Sequence, residues 1–237
     1  SPPRRTVPDC GCQKPIIRLA NVLLPDPDSP TIAAWLPLGN CKVIGNTMKA
    51  FQECESVKEI IIVARKQDIP EIKEEADKLG ISKLVNCVEG GNTRQQSVIN
   101  GIRSISKDTK MVAIHDGARP LVKPEFIETA IKDARVFGGA ALGVPVKDTI
   151  KLVEDGLIVD TPQRSKLYIT QTPQVFKRHV YFEGIDFALE HDLDFTDDCQ
   201  LVEALGHKVY MTLSDYTNIK ITTPEDIEIA EVLLKTR

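Results

Sequence analysis

The chain has 237 residues, 42% hydrophobic and 27% charged, which is enough to bury a large core and is the make-up of an ordinary globular protein. Its 30 basic and 34 acidic side chains leave a formal charge of -4, so no net positive field draws nucleic acid, and an anionic ligand must be held by local basic groups. No apolar run approaches the roughly 20 residues that span a membrane, and nothing after the opening Ser1-Pro-Pro-Arg-Arg reads as a signal peptide.

The first 35 residues stand apart, with prolines at 2, 3, 8, 15, 25, 27 and 30. Ile16 to Leu24 has the apolar content of a strand, and the turn-forming Pro25-Asp-Pro-Asp-Ser-Pro30 follows it. Cysteines fall at 10, 12, 41, 54, 87 and 199, with no regular framework and no second pair spaced to complete a zinc site with Cys10 and Cys12. Reduced thiols in a cytoplasm are the expectation.

From about residue 41 the pattern alternates helix and strand. Ile44, Met48 and Phe51 recur at helical spacing. Glu59 to Ala64 is a continuous apolar run, as a strand covered on both faces requires. Pro70 opens a helix with Ile72, Ala76 and Leu79 inward, closed by Gly80. Lys83 to Glu89 is a second strand, broken by Gly90-Gly91, and Val98, Ile102 and Ile105 mark the next helix. Met111 to Ile114 is a third strand. Pro124 begins a helix that ends at Gly138-Gly139, and Ala140 to Val144 is a fourth strand. Residues 148–171 break the rhythm with short strand-like pieces at 149–153, 157–159 and 167–170 around Asp155-Gly156, a strong hairpin signal. A helix near 178–189, another from Thr196, strands at 208–212 and 217–221, and a last helix from Pro224 complete the chain. The fold expected is a Rossmann-like α/β domain over 1–237, a mostly parallel sheet flanked by helices with an inserted β-arm. Ligands then sit beyond the carboxyl ends of the strands.

Six polar segments converge on that edge. His115-Asp-Gly-Ala-Arg-Pro120 delivers an acid suited to a hard cation, a glycine that lets a ligand approach the backbone, and an arginine for phosphate; a turn with a surface salt bridge is the other reading. His115 reads as an orienting or packed residue. Glu89-Gly-Gly-Asn-Thr-Arg-Gln-Gln-Ser-Val98 joins a strand to a helix start, either an anion or nucleobase site through Asn92 and Ser97 or a generic turn. Thr149, with Lys147 and Lys151, is placed to meet a phosphorylated substrate, or the lysines protect an edge strand. Thr172, in Gln171-Thr-Pro-Gln-Val-Phe176, is a phosphate donor or part of a proline turn. Thr196, Asp197 and Asp198 read as a cap and first-turn acids. In Asn218 to Asp226, Thr223, Pro224 and Asp226 make a helix start, and Lys220, alternating with Ile219 and Ile221, points away from the core as a charge for phosphate.

These blocks, with Val144-Pro-Val-Lys-Asp-Thr149, occur in an order that resembles the bacterial 2-C-methyl-D-erythritol 4-phosphate cytidylyltransferases, from about Leu36 to the C-terminus. The resemblance implies a nucleotidyltransferase that passes CMP from CTP to 2-C-methyl-D-erythritol 4-phosphate with release of pyrophosphate, in non-mevalonate isoprenoid synthesis. It implies Mg²⁺ or another divalent cation, and a homodimer joined by swapped β-arms of about 148–171. Gly91, Asn92, Ser97, Asp116 and Gly117 would bind the nucleotide, and Asp116 the metal. Arg119, Thr149, Arg164 from the partner subunit, Thr172, Thr196 and Lys220 would bind the acceptor, with Asp116, Arg119 and Lys220 catalytic. Members of the family open with a Gly-rich loop and a Lys-Gln pair that clamp the triphosphate. Here Asp28-Ser-Pro-Thr-Ile-Ala-Ala-Trp35 stands in their place, without the glycines, the arginine or the lysine. The abrupt switch points to an altered segment, and a nucleotide-binding relic with impaired turnover is an alternative reading. A ribitol 5-phosphate cytidylyltransferase is another; that family carries Ser-Val where this chain has Gly117-Ala118.

Overall fold

The computed structural model describes the backbone of residues 17–22, and residues 33–195 and 197–236. A seven-stranded sheet forms its centre. It contains β1 (Ile17–Val22), β4 (Val57–Ala64), β5 (Leu84–Glu89), β6 (Met111–Asp116), β7 (Gly139–Pro145), β10 (Tyr168–Lys177) and β11 (Val209–Leu213), in the order β11-β7-β10-β6-β1-β4-β5. All neighbours are parallel except β10, which runs antiparallel between β6 and β7. Two small pairs lie outside this sheet: β2 (Pro37–Leu38) with β3 (Cys41–Lys42), and β8 (Leu152–Glu154) with β9 (Leu157–Asp160).

Helices cover both faces. On one side lie α1 (Val43–Glu53), α2 (Ile69–Lys78) and α4 (Pro124–Phe137). On the other lie α3 (Arg94–Arg103), α5 (Arg178–Glu190) and α6 (Asp198–Glu203). The alternation along β4 explains its unbroken apolar run: Ile60 and Ile62 enter the first core, Ile61 and Val63 the second. β6 repeats this with Met111 and Ala113 on one side and Val112 and Ile114 on the other. Each such isoleucine, fully buried, contributes roughly 1.5–3 kcal/mol of hydrophobic stabilisation. The last helix, α7 (Pro224–Lys235), closes a smaller cluster of Leu38, Val43, Leu121, Ile221 and Ala230.

Four expectations are corrected. The piece at 167–170 does not belong to the hairpin; it begins the ten-residue β10, which also absorbs 171–176. The register of β10 against β7 shifts between Thr170 and Gln174, and Pro173 sits inside that irregularity, where a missing N–H is tolerated. The hairpin itself is shorter, β8 and β9 alone, turning at Asp155 (φ 49°) and Gly156 (φ 80°). Residues 217–221 form no ladder: Ile221 is buried and Lys220 half-exposed, as the alternation requires, but the segment is held by isolated hydrogen bonds. The helix expected from Thr196 starts at Asp198, with Asp197 as its cap, accepting from the Gln200 N–H at 3.0 Å. Thr196 itself, and the turn read at residues 25–30, lie outside the described residues.

Among the described residues no helix is long and apolar enough to cross a membrane, and Cys41, Cys54, Cys87 and Cys199 are unpaired thiols.

Candidate active site

The parallel strands end together, and β6 brings Asp116 to that edge beside the last residues of β1 and β4: Val22 is in register with both Asp116 and Val63. Asp116 Oδ2 lies 3.3 Å from Lys220 Nζ and 3.6 Å from Arg119 Nε. Burial pushes the Asp116 carboxyl up, but Lys220 and Arg119 outweigh it and hold the group below its ordinary value. It is therefore an anion at neutral pH, enclosed by two cations, one of which, Lys220, is half-exposed.

The loop after Asp116 is fixed from beneath. His115 is fully buried. Its Nε2 is 3.2 Å from the Arg119 carbonyl and its Nδ1 is 3.0 Å from Thr172 Oγ1. A carbonyl only accepts, so Nε2 carries the proton and donates; Nδ1 accepts from the Thr172 hydroxyl, which itself accepts from the Asp116 N–H at 3.0 Å. Both ring nitrogens are satisfied in the neutral form, and burial pushes the imidazole pKa down to about 4. His115 is thus an orienting residue. In this arrangement the Thr172 hydroxyl is engaged on both sides, between Asp116 and His115. Thr47 on α1 donates to the Gly117 carbonyl at 2.8 Å, a tie that a lone threonine in a helix does not announce in sequence.

At the edge of the sheet, beyond β1 and β4, β5 leads into the Gly90-Gly91 turn. A Cβ on Gly91 would lie 2.3 Å from Gln96 Cβ, so only glycine fits. Ser97, fully buried, accepts from the Gly91 N–H at 3.0 Å and shapes the turn. Gln96 Oε1 takes the Asn92 N–H at 2.9 Å, and Thr93 caps α3 by accepting from Gln96 N. The Asn92 side chain is left exposed at the mouth.

Arg94, the first residue of α3, forms a partly buried ion pair with Asp198, the first residue of α6. Asp198 is 1% exposed, accepts from the Tyr181 hydroxyl, and donates its N–H to Gln174 Oε1 on β10 at 3.0 Å. Burial opposes the charge on Arg94, but Asp198 outweighs it and keeps the guanidinium above its ordinary value; burial and Asp198 together raise the Tyr181 phenol. Losing Arg94 would leave Asp198, 1% exposed, as an uncompensated buried charge, at a cost of about 3–5 kcal/mol. The first-turn acid of the sequence reading is therefore the anchor between two motifs.

On the far side, Thr149 is exposed on the loop between β7 and β8. Arg164 donates to the Lys147 carbonyl of its own chain at 3.0 Å, and Lys147 Nζ lies 3.5 Å from the centre of the Tyr216 ring. Asp116, Gly117, Arg119, Thr172 and Lys220 thus share one cluster; Gly91, Asn92 and Ser97 form the turn on a nearby strand, and Thr149 and Arg164 belong to the arm and its root.

The family of 2-C-methyl-D-erythritol 4-phosphate cytidylyltransferases matches residues 29–236. A curated protein of that name from Caldanaerobacter subterraneus subsp. tengcongensis is 47% identical over 203 residues, covering 85% of this chain and 89% of its own length. One from Clostridium novyi is 44% identical over 191 residues, covering 80% and 82%. Among solved structures, the 4-diphosphocytidyl-2C-methyl-D-erythritol synthase of Anaerococcus prevotii superposes with a TM-score of 0.84 at 29% identity, covering 94% of this chain and all of that one. The 2-C-methyl-D-erythritol 4-phosphate cytidylyltransferase of Thermus thermophilus superposes with a TM-score of 0.75 at 28% identity, covering 93% and 99%.

Proposed function

This chain belongs to the 2-C-methyl-D-erythritol 4-phosphate cytidylyltransferase family and passes CMP from CTP to that alcohol phosphate in isoprenoid biosynthesis, and we propose that the Asp116–Arg119–Lys220 cluster is where the transfer occurs. The observation that carries the assignment is one largely enclosed carboxylate held between two cations at the carboxyl edge of the sheet. A phosphate oxygen of the acceptor attacks the α-phosphorus of CTP, the bond to the β-phosphate oxygen breaks, and pyrophosphate leaves. Little covalent work falls to the protein in such a transfer; it must align the reactants and offset charge on the phosphates. Gly91, Asn92 and Ser97 build the turn that receives cytidine, joined by Gly117. Arg119 and Lys220 face the acceptor and the transferring group, and the family resemblance assigns Thr149, Thr172 and Thr196 to the acceptor as well.

The described residues hold no cluster of three or more potential ligands for a metal ion. That fits Mg²⁺, which takes one or two protein carboxylates and completes its shell with substrate phosphates and water. Asp116, kept ionised, is the residue that would hold it. When bound, the ion would neutralise phosphate charge.

A homodimer belongs to the same proposal. A free two-stranded hairpin is marginal in water, yet this one exposes Leu152, Val153, Leu157, Ile158 and Val159, each more than half accessible. A second arm is the cover that family resemblance suggests, and it would bring the partner subunit's Arg164 to the acceptor. Sedimentation is expected to give a dimer, and Leu157→Asp with Ile158→Asp a monomer; a monomeric unsubstituted protein contradicts the proposal.

The activity itself is tested by pyrophosphate release from CTP with each acceptor. Release with 2-C-methyl-D-erythritol 4-phosphate, and far less with ribitol 5-phosphate, is expected. CTP binding without release from either would identify a nucleotide-binding relic, the outcome to which the glycine-free segment 28–35 would then be traced.

A further inference from the structure

Residues 215–221 carry Lys220 yet join no sheet. Their placement comes from a few hydrogen bonds. Ile221 N donates to the Ala118 carbonyl at 2.8 Å, and Arg119 Nη1 donates to the Asn218 carbonyl, also at 2.8 Å. At the start of the segment Lys123 Nζ donates to the Asp215 carboxylate and the Tyr216 hydroxyl donates to the Pro145 carbonyl, both at 2.7 Å. Closer to Lys220, the other ties pass through two side-chain amides. Asn218 Nδ2 donates to the Thr172 carbonyl at 3.0 Å and to Gln171 Oε1 at 3.1 Å. Gln171 Nε2 donates to the Asp215 carbonyl at 3.1 Å. Each amide meets a backbone carbonyl, which can only accept, so the orientation of both is dictated and the two lock together. Asn218 is 1% exposed and Gln171 5%, so water does not readily replace these bonds.

We infer that Asn218, clamped by Gln171, is a positioning residue that sets Lys220 and Arg119 around Asp116 without touching substrate. The Asn218 side chain fastens the segment to β10 at Thr172, whose hydroxyl already fixes the Asp116 N–H. The Asn218 main chain fastens Arg119. One residue thereby fixes the spacing of the acid and both cations, the spacing on which in-line transfer depends. The Gly91–Ser97 turn is built on other elements and is not part of this clamp.

The inference rests on the active-site assignment above, and the experiment separates the two. Asn218→Ala and the near-isosteric, uncharged Gln171→Met are assayed beside Lys220→Ala, with folding checked by thermal melts. Each clamp variant is expected to lower kcat about 30-fold while the KM for CTP stays within about threefold. Folded clamp variants with kcat within about threefold of the parent overturn the inference. So does a fall in kcat accompanied by an equally large rise in the KM for CTP, the mark of general distortion. If Asn218→Ala fails to fold, Gln171→Met carries the test alone. A fast Lys220→Ala enzyme overturns the site assignment instead, whatever the clamp variants do.

Discussion

Asp116→Asn is expected to lower kcat/KM by about three orders of magnitude, or roughly 4 kcal/mol of transition-state stabilisation. The substitution keeps the shape and removes the charge. Among the described residues Asp116 is the one acid paired with both Lys220 and Arg119, at 3.3 and 3.6 Å, and its ionisation is favoured by both. With an amide there, the two cations repel each other, and the only proposed protein ligand for the metal is neutral. The folded pKa is depressed, so the stabilisation the carboxylate gives is present above its unfolded value and is lost as pH falls through the lower folded one. At neutral pH the native enzyme therefore runs with Asp116 fully charged. An Asp116→Asn enzyme within tenfold of the parent at saturating Mg²⁺ would falsify the assignment.

Lys220→Ala is expected to lower kcat/KM by about two to three orders of magnitude, the scale seen when one preorganised donor to developing charge is deleted. Lys220 is half-exposed, so its pair with Asp116 is worth little to the fold. The loss should therefore appear in the rate and in the acceptor KM with the thermal midpoint nearly unchanged. Arginine at 220 should recover only part of it, because a planar fork does not reproduce a compact ammonium charge. Rates near those of the parent would remove Lys220 from the mechanism.

Much of the fold was legible because its signals are local. The apolar run ending at Ala64 reads as a strand buried on both faces, and Asp155-Gly156 fixes a tight turn through two positive φ angles. The motif blocks also carried the family, whose match begins at residue 29, close to the onset read near Leu36. Failures came where a local signal had a distant owner. Ile219-Lys-Ile221 alternates like a strand, but Ile221 packs among Leu38, Val43, Leu121 and Ala230, with Ile219 against the same cluster, and not in a ladder. Pro173 argues for a turn, since it cannot donate to a ladder, and the register shift in β10 accommodates it. Asp198 is adequately explained as a first-turn acid until Arg94, 104 residues earlier, is seen beside it. Gln171 and Asn218 each open one of the motif blocks, but nothing in the sequence announces that their amides meet.

The irregular segment that carries Lys220 also has a bearing on how the protein is made. Asp116 depends on Thr172, 56 residues downstream, and Arg119 on Asn218, 99 residues downstream. Contacts this distant bear the full entropy of closing their loops before they return anything, which slows their formation. A chain emerging from the ribosome can therefore assemble β4, β5 and β6 with their helices while its acid still lacks both the strand beneath it and one of its two cations. Competence to bind the acceptor arrives only when the segment ending at residue 221 docks, so the site is completed after the sheet that carries its acid.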